Sequence, residues 1–175
     1  VTDGGGATVV TSADVAKNCK KEPVWILGTA EGHDHGDGIG QQEDLCSTIA
    51  RETGPRALAA AGVTHNDIDL AMIYDSFTYT VLITLESLGF CGRGEGPDFV
   101  AGQRTAPGGD FPLNTNGGGL SYTHTGMYGM FLLLEATRQL RGECGDRQVD
   151  DCNIALVNGT GGTLSSCGTL VLASD

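Results

Sequence analysis

The sequence predicts an α/β domain with a mixed sheet and a buried helix, on three observations. Short apolar, β-rich runs recur at residues 23–29, 68–74, 154–157 and 169–172. Segments whose apolar residues repeat at helical spacing lie between the first three of them. One such segment, residues 127–140, is apolar almost all round for its first half, so it needs cover on several sides, as a central helix between sheets would have.

Composition bounds the function classes. A chain of 175 residues, 39% hydrophobic and 18% charged, has enough material for one domain with a proper core. Its 28 glycines fall in loops between apolar runs without a fixed period, which excludes collagen-like and repeat architectures. Ten basic against 22 acidic residues, a net charge of −12, argue against nucleic acid or an anionic membrane as the main ligand. No apolar run approaches the roughly 20 residues of a membrane-spanning helix, and residues 1–6 lack the pattern of a signal peptide, so a cytoplasmic location is expected. The six cysteines (Cys19, Cys46, Cys91, Cys144, Cys152, Cys167) show no C-x-x-C spacing and are expected as reduced thiols, none an obvious nucleophile.

In chain order, residues 2–11 read as a turn feeding a buried strand that has no preceding partner, which suggests the second half of a longer fold. Residues 17–22 are a charged connector, and residues 23–29 open the main domain as its first strand. Residues 30–42 hold Glu31, His33, Asp34, His35 and Asp37 in a glycine-rich stretch. That set lacks a recognised ligand spacing and is read as a polar loop, not a metal site. Helical stretches follow over 43–62, broken at Gly54–Pro55 and ending at Gly62. Thr64 to Asp67 forms a turn or cap. The strand ending at Tyr74 delivers Tyr74, Asp75, Ser76 and Phe77, and Val81, Leu82, Leu85 and Leu88 give the next helix a face that stops before Gly89. Residues 92–109 are an irregular, glycine-rich excursion, long enough for a binding or partner contact. The closing strands, 154–157 and 169–172, are joined through residues 158–162.

The glycine-rich stretch 114–129 is expected to be the seat of chemistry. Gly117, Gly118 and Gly119 permit backbone conformations and close approaches that a Cβ forbids. Thr123, His124 and Thr125 fall where the following helix is expected to begin. A helix start favours neutral imidazole over imidazolium and stabilises oxyanions, which suits His124. Tyr79 and Tyr128 are expected on helices as packing residues. Catalytic groups of α/β sheets collect at strand ends and helix starts, where Tyr74, Tyr122 and His124 all fall.

These motifs together resemble the thiolase superfamily, and within it the sterol carrier protein x type. Residues 2–7 resemble the last strand of a thiolase's N-terminal half, so residues 1–23 are expected to be that strand plus a connector and 24–175 the C-terminal domain of a layered αβαβα fold. Tyr74 to Phe77 resembles the motif that carries an oxyanion-hole residue, and Gly117 to His124 the catalytic histidine loop. Gln139 to Glu143, with Arg147 to Val149, resembles the segment before the closing strands. Thiolases of this type carry His-Asp-Cys-Phe or Asn-Glu-Ala-Phe in place of Tyr74 to Phe77, and Gly-His-Pro in place of Thr123, His124 and Thr125. Their acid/base cysteine has no counterpart in Val157, Asn158 and Gly159.

That departure resembles the lipid-transfer-protein-like aldolases of bacterial steroid side-chain degradation. The resemblance implies retro-aldol cleavage of a β-hydroxyacyl-CoA thioester to propionyl-CoA and a 17-keto steroid. It also implies an OB-fold partner of the acyl-CoA-associated type, a homodimer within a hetero-oligomer, and no cofactor beyond the CoA of the substrate. Tyr74 and Tyr122 are then assigned to proton transfer and His124 to the thioester oxygen. Asp75, Gly117, Gly118, Gly119, Gly161 and Gly162 are assigned to substrate binding, Asp75 either orienting Tyr74 or His124 or acting as a cap. An acyl-transferring thiolase and a non-catalytic acyl-CoA-binding subunit are the alternatives.

Overall fold

A computed structural model describes residues 2–36 and 38–175; Val1 and Asp37, the latter from the acidic-histidine stretch, lie outside the described residues. The elements are α1 (Ala13–Ala16), β1 (Trp25–His33), α2 (Ala50–Ala61), β2 (Leu70–Ile73), α3 (Thr78–Leu88), α4 (Gly96–Phe99), α5 (Gly118–Ser121), α6 (Gly129–Leu140), β3 (Ile154–Gly161) and β4 (Ser166–Ala173). The four strands form one sheet in the order β1-β4-β3-β2, with β2 parallel to β3 and the other pairs antiparallel. The sheet is mixed, as the sequence predicts.

Two cores form on its two faces. Ala71 and Ile73 of β2 face α2 and α3, where they join Ala57, Leu85, Leu88, Leu156 and Val171. Leu70 and Met72 face α6 and meet Leu132, Ala136, Ala155 and Val157. All four residues of β2 are therefore fully covered, and its apolar run is continuous where a half-exposed strand would alternate. Burial of each large apolar side chain contributes about 1.5–3 kcal/mol. At Gly28, beside a bulge in β1, a Cβ would run into the Ala57 carbonyl, so this glycine sets how closely α2 lies on the sheet.

Several sequence expectations change. Residues 2–10 form no strand, and Val9 and Val10 are 91% and 74% exposed. With no strand beside them among the described residues to accept their backbone hydrogen bonds, they run instead past α6, where Gly4 and Gly6 lie against Phe131, Met130 and Leu134. The outer face of α6 is accordingly half-buried, and the described residues form three layers, α2 and α3 on one face of the sheet and α6 on the other. Residues 43–49 are not helical, whereas α2 passes through Gly54 and Pro55 without a break. Its covered face outweighs the bond that Pro55 cannot donate. Gly54 is there for packing, since a Cβ would come within 2.9 Å of Leu88 Cδ2.

Residues 92–109 hold α4 and a short 3-10 turn at Ala101–Gln103, and the excursion is pinned by aromatic contacts. Phe111 sits 4.9 Å from Phe90 and 5.1 Å from Phe99, with the Arg104 guanidinium 4.1 Å above the Phe99 ring. Strands β3 and β4 are longer than predicted: residues 158–161 belong to β3, and the connecting loop is 162–165.

Candidate active site

Two segments meet at the end of β2. Residues 112–114 run along its outer edge: Ala71 N–H donates to the Pro112 carbonyl at 3.1 Å, and Asn114 N–H donates to the Ala71 carbonyl at 3.1 Å. Asn114 then continues the ladder with its side chain, accepting from Ile73 N–H at 2.9 Å and donating to the Ile73 carbonyl at 2.7 Å. Its φ of +50° is tolerated by asparagine better than by most residues. The glycine-rich stretch is thereby registered one residue away from Tyr74.

Beyond β2, Tyr74 N–H donates to the Asn158 carbonyl at 2.9 Å, and Asp75 turns inward, 5% exposed. Its carboxyl oxygens accept from Gly119 N–H at 2.6 Å and Leu120 N–H at 3.1 Å. Asp75 is therefore a cap on the first turn of α5, the second of the roles expected for it. Gly118 has a φ of +68° and lies against this carboxyl group, so a Cβ there is excluded twice over. Gly117, at φ +97°, starts the turn, and both Gly118 and Gly119 are buried.

The turn places His124. Its Nδ1 lies 3.1 Å from the Gly119 carbonyl, its Nε2 lies 3.3 Å from the Tyr74 hydroxyl, and its backbone N–H donates to Thr2 Oγ1 at 3.0 Å. A carbonyl only accepts, so Nδ1 carries the hydrogen, and in the neutral ring Nε2 presents a lone pair to Tyr74. The predicted helix start is not what fixes the ring: α6 begins at Gly129, five residues later, because residues 123–128 turn to bring Tyr128 beneath the site. Tyr128, 2% exposed, stacks on Tyr74 at 5.4 Å and 25°. Burial pushes its phenol up to about 12. Sequence reading made it a helical packing residue; it packs, but as the floor of the site, and only the position before α6 hinted at that.

Tyr74 itself is half-buried, and burial, with the charge of Asp75 adding to it, holds its phenol above the ordinary tyrosine value. That is the reverse of the depressed value a lone tyrosine base needs. Tyr122 is 59% exposed, with its ring edge-on to Phe131 at 6.2 Å, and among the described residues no hydrogen bond or ring pairing joins it to Tyr74 or His124. Gly161 lines a shallow groove of about 440 Å³ with Gly159, Gly168, Met127 and Met130, flanked by Glu31 and His33. Gly162, at φ +59°, belongs to the hairpin loop beyond it. Of the acidic-histidine stretch, Asp34 pairs with Arg51 at 2.8 and 3.1 Å, and His35 Nε2 lies 3.2 Å from the Thr163 carbonyl. Cys167 faces α2, with its sulfur 3.1 Å from Thr53 Oγ1 and its thiol pushed up by burial.

The family described as "Thiolase C-terminal domain-like" matches residues 30–174. The chain belongs to this family. The thiolase-like chain is 34% identical over 184 residues to a steroid side-chain-cleaving aldolase of Thermomonospora curvata, covering 99% of this chain and 44% of that protein. It is 39% identical over 150 residues to a 17-hydroxy-3-oxo-4-pregnene-20-carboxyl-CoA lyase of Mycobacterium tuberculosis, covering 81% of this chain and 37% of that protein. Among solved structures, a chain of the Ltp2-ChsH2(DUF35) aldolase superposes with a TM-score of 0.81 at 32% identity, over 92% of this chain and 42% of that one. The thiolase-like chain thus spans less than half the length of these relatives.

Proposed function

We propose that this thiolase-like chain supplies the acid/base half of a retro-aldolase that cleaves a β-hydroxyacyl-CoA thioester of a steroid side chain to a 17-keto steroid and propionyl-CoA. The single observation that carries the reading is the Tyr74–His124 pair, 3.3 Å apart and fixed from both sides. The names of the similar aldolase and lyase support the same reaction class.

Retro-aldol cleavage takes a proton from the β-hydroxyl, breaks the Cα–Cβ bond with its electrons passing into the thioester as an enolate, and returns a proton to the α-carbon. Tyr74 takes the hydroxyl proton while passing its own to Nε2 of His124, so the raised affinity of Tyr74 for its proton is no obstacle. The ring, now an imidazolium with hydrogen on Nε2, is a donor for the developing enolate oxygen. This makes His124 the proton acceptor first and the thioester contact second. Tyr122 protonates the α-carbon from the solvent side and regains its proton from water, while His124 returns to water the proton it took, so that each turnover balances.

Phe77, Leu120, Tyr122 and Met127 are 70%, 51%, 59% and 87% exposed on the segments that carry the pair, an apolar rim suited to a steroid body. All four shifted thiols, Cys91, Cys144, Cys152 and Cys167, are shifted upward, first of all by burial, the wrong direction for a nucleophile. An OB-fold partner of the acyl-CoA-associated type and a homodimer within a hetero-oligomer belong to the same reading, as does a cytoplasmic location. Among the described residues no helix is long and apolar enough to cross a membrane.

The test is to purify the full-length protein with that partner, supply the steroid β-hydroxyacyl-CoA, and follow the products by mass spectrometry. A 17-keto steroid with an equal amount of propionyl-CoA is the expected outcome. Acyl transfer to free CoA, or tight binding without turnover, would sink the aldolase reading in favour of a thiolase or a binding subunit.

A further inference from the structure

Beneath the site lies a charged group that the chemistry does not use. Glu135, on the sheet-facing side of α6, is 3% exposed. It accepts a two-pronged contact from Arg147, at 2.9 and 3.0 Å, and the hydroxyl hydrogen of Thr115 at 2.8 Å. Burial alone would push the carboxyl up; the Arg147 and Thr115 hydrogen bonds outweigh it and hold it below the ordinary range. Thr115 Oγ1 also accepts from Gln139 Nε2 at 3.0 Å. Gln139 Nε2 donates in turn to the Arg147 carbonyl at 2.8 Å, so the loop carrying Arg147 is closed onto the same helix face.

Thr115 sits between two residues that have other duties. Asn114 is locked to the edge of β2. Asn116 Oδ1 accepts Gly118 N–H at 2.9 Å and so shapes the turn. The loop is held to the strand edge at Asn114 and to Asp75 at Gly119 and Leu120, and Thr115 adds a tie to α6 between these two points, which limits pivoting about the strand edge. Four residues further on, the Gly119 carbonyl sets the His124 ring. A buried carboxyl whose hydrogen-bond partners converge from two loops is costly to leave incomplete, so this tie is stiff.

We propose that Thr115 and Glu135 are positioning residues that fix the distance between His124 and Tyr74, with Arg147 anchoring the Glu135 carboxyl group through its two-pronged contact. The proposal rests on the reading of the Tyr74–His124 pair as the reacting groups. Thr115→Val keeps shape and removes the hydroxyl; Thr115→Ser restores it. Both are made in the full-length protein with its partner and read in two ways. One is the rate at which diethyl pyrocarbonate modifies His124 at Nε2, followed by peptide mass spectrometry, which needs no substrate. The other is steady-state turnover of the thioester.

In Thr115→Val the modification rate should rise, because Tyr74 no longer occupies Nε2, and kcat should fall about 10-fold to 100-fold at nearly unchanged KM. Thr115→Ser should return both to the unmodified protein's values. A folded Thr115→Val with the original modification rate and kcat overturns the proposal, as does failure of serine to restore them. Should Thr115→Val not fold, Glu135→Gln is judged by the same two criteria. If the unmodified protein shows no thioester turnover, the proposed function fails while the His124 modification rate still decides the positioning role.

Discussion

Tyr74 is held on every side: its backbone by Asn158, its ring by Tyr128, and its hydroxyl by His124. Tyr122, two residues before the same histidine, has one edge-on contact with Phe131 and stands mostly in solvent. The difference follows from where each lies. Tyr74 continues a fully buried strand, so its direction is set by the sheet, whereas Tyr122 ends a single helical turn and depends on what covers it. A proton acceptor must be pre-aligned before bond breaking, while a proton donor to carbon can be brought in with the substrate.

The largest effect expected from breaking this contrast is on turnover. Tyr74→Phe and His124→Asn should each lower kcat about 10²–10⁴-fold, and the double variant should be no worse than the worse single one, because the two act as a unit. Tyr122→Phe should lower kcat by about 10²-fold and multiply with Tyr74→Phe, since the proposed mechanism gives it a separate step. Steady-state kinetics of the three single and two double variants decide this; multiplicative losses for Tyr74 with His124 would dissolve the pair.

An intermediate effect is expected on stability. Asp75→Asn sets an NH2 group against a backbone N–H that now donates to Asp75, loosening the side that distinguishes Tyr74 from Tyr122. A loss of about 1–3 kcal/mol in urea unfolding is expected, against almost none for Tyr122→Phe. Equal midpoints for the two variants would contradict the capping role.

The smallest effect shows only in alkali. Tyr128 titrates at about 12 when folded and near its ordinary value of 10 when unfolded. Below pH 10 both states keep the proton. As pH climbs from 10 towards 12 the unfolded state gives it up more readily, so stability falls through that window, by up to roughly 3 kcal/mol for a shift of this size. Tyr128→Phe should fall less steeply over the same window, and identical slopes would show that Tyr128 is not the buried floor of the site. Comparing variants is necessary because Cys152, also raised to about 12, titrates in the same range.

Strands and helices with strong apolar patterns were legible in the sequence: β2, α3 with its left-handed Gly89 cap, and the mixed sheet follow from local periodicity. The meeting of Tyr74 with His124 was legible only as two motifs, because 50 residues separate them and no local rule sets their distance. Asp75 illustrates the limit. Its role as a cap was foreseeable from its type, but its partners, Gly119 and Leu120, lie 44 and 45 residues away. Helix α2 misled for a different reason, since Gly54 and Pro55 read as a break while tertiary cover carries the helix through. The start of α6 misled because nothing in the types of residues 123–128 announces the left-handed backbone of Met127, at φ +57°, which interrupts the run just before the helix begins at Gly129.

Asn114 has a consequence for the molecule's colloidal behaviour. Strand β2 would otherwise present the unpaired amides of Ala71 and Ile73, a template on which another chain's strand could grow. The segment that carries His124 occupies those positions, so it is at once part of the site and the lid on an adhesive edge. A disturbance that lifts it both separates His124 from Tyr74 and uncovers a surface for self-association, so inactive variants of this loop should also be the ones that precipitate.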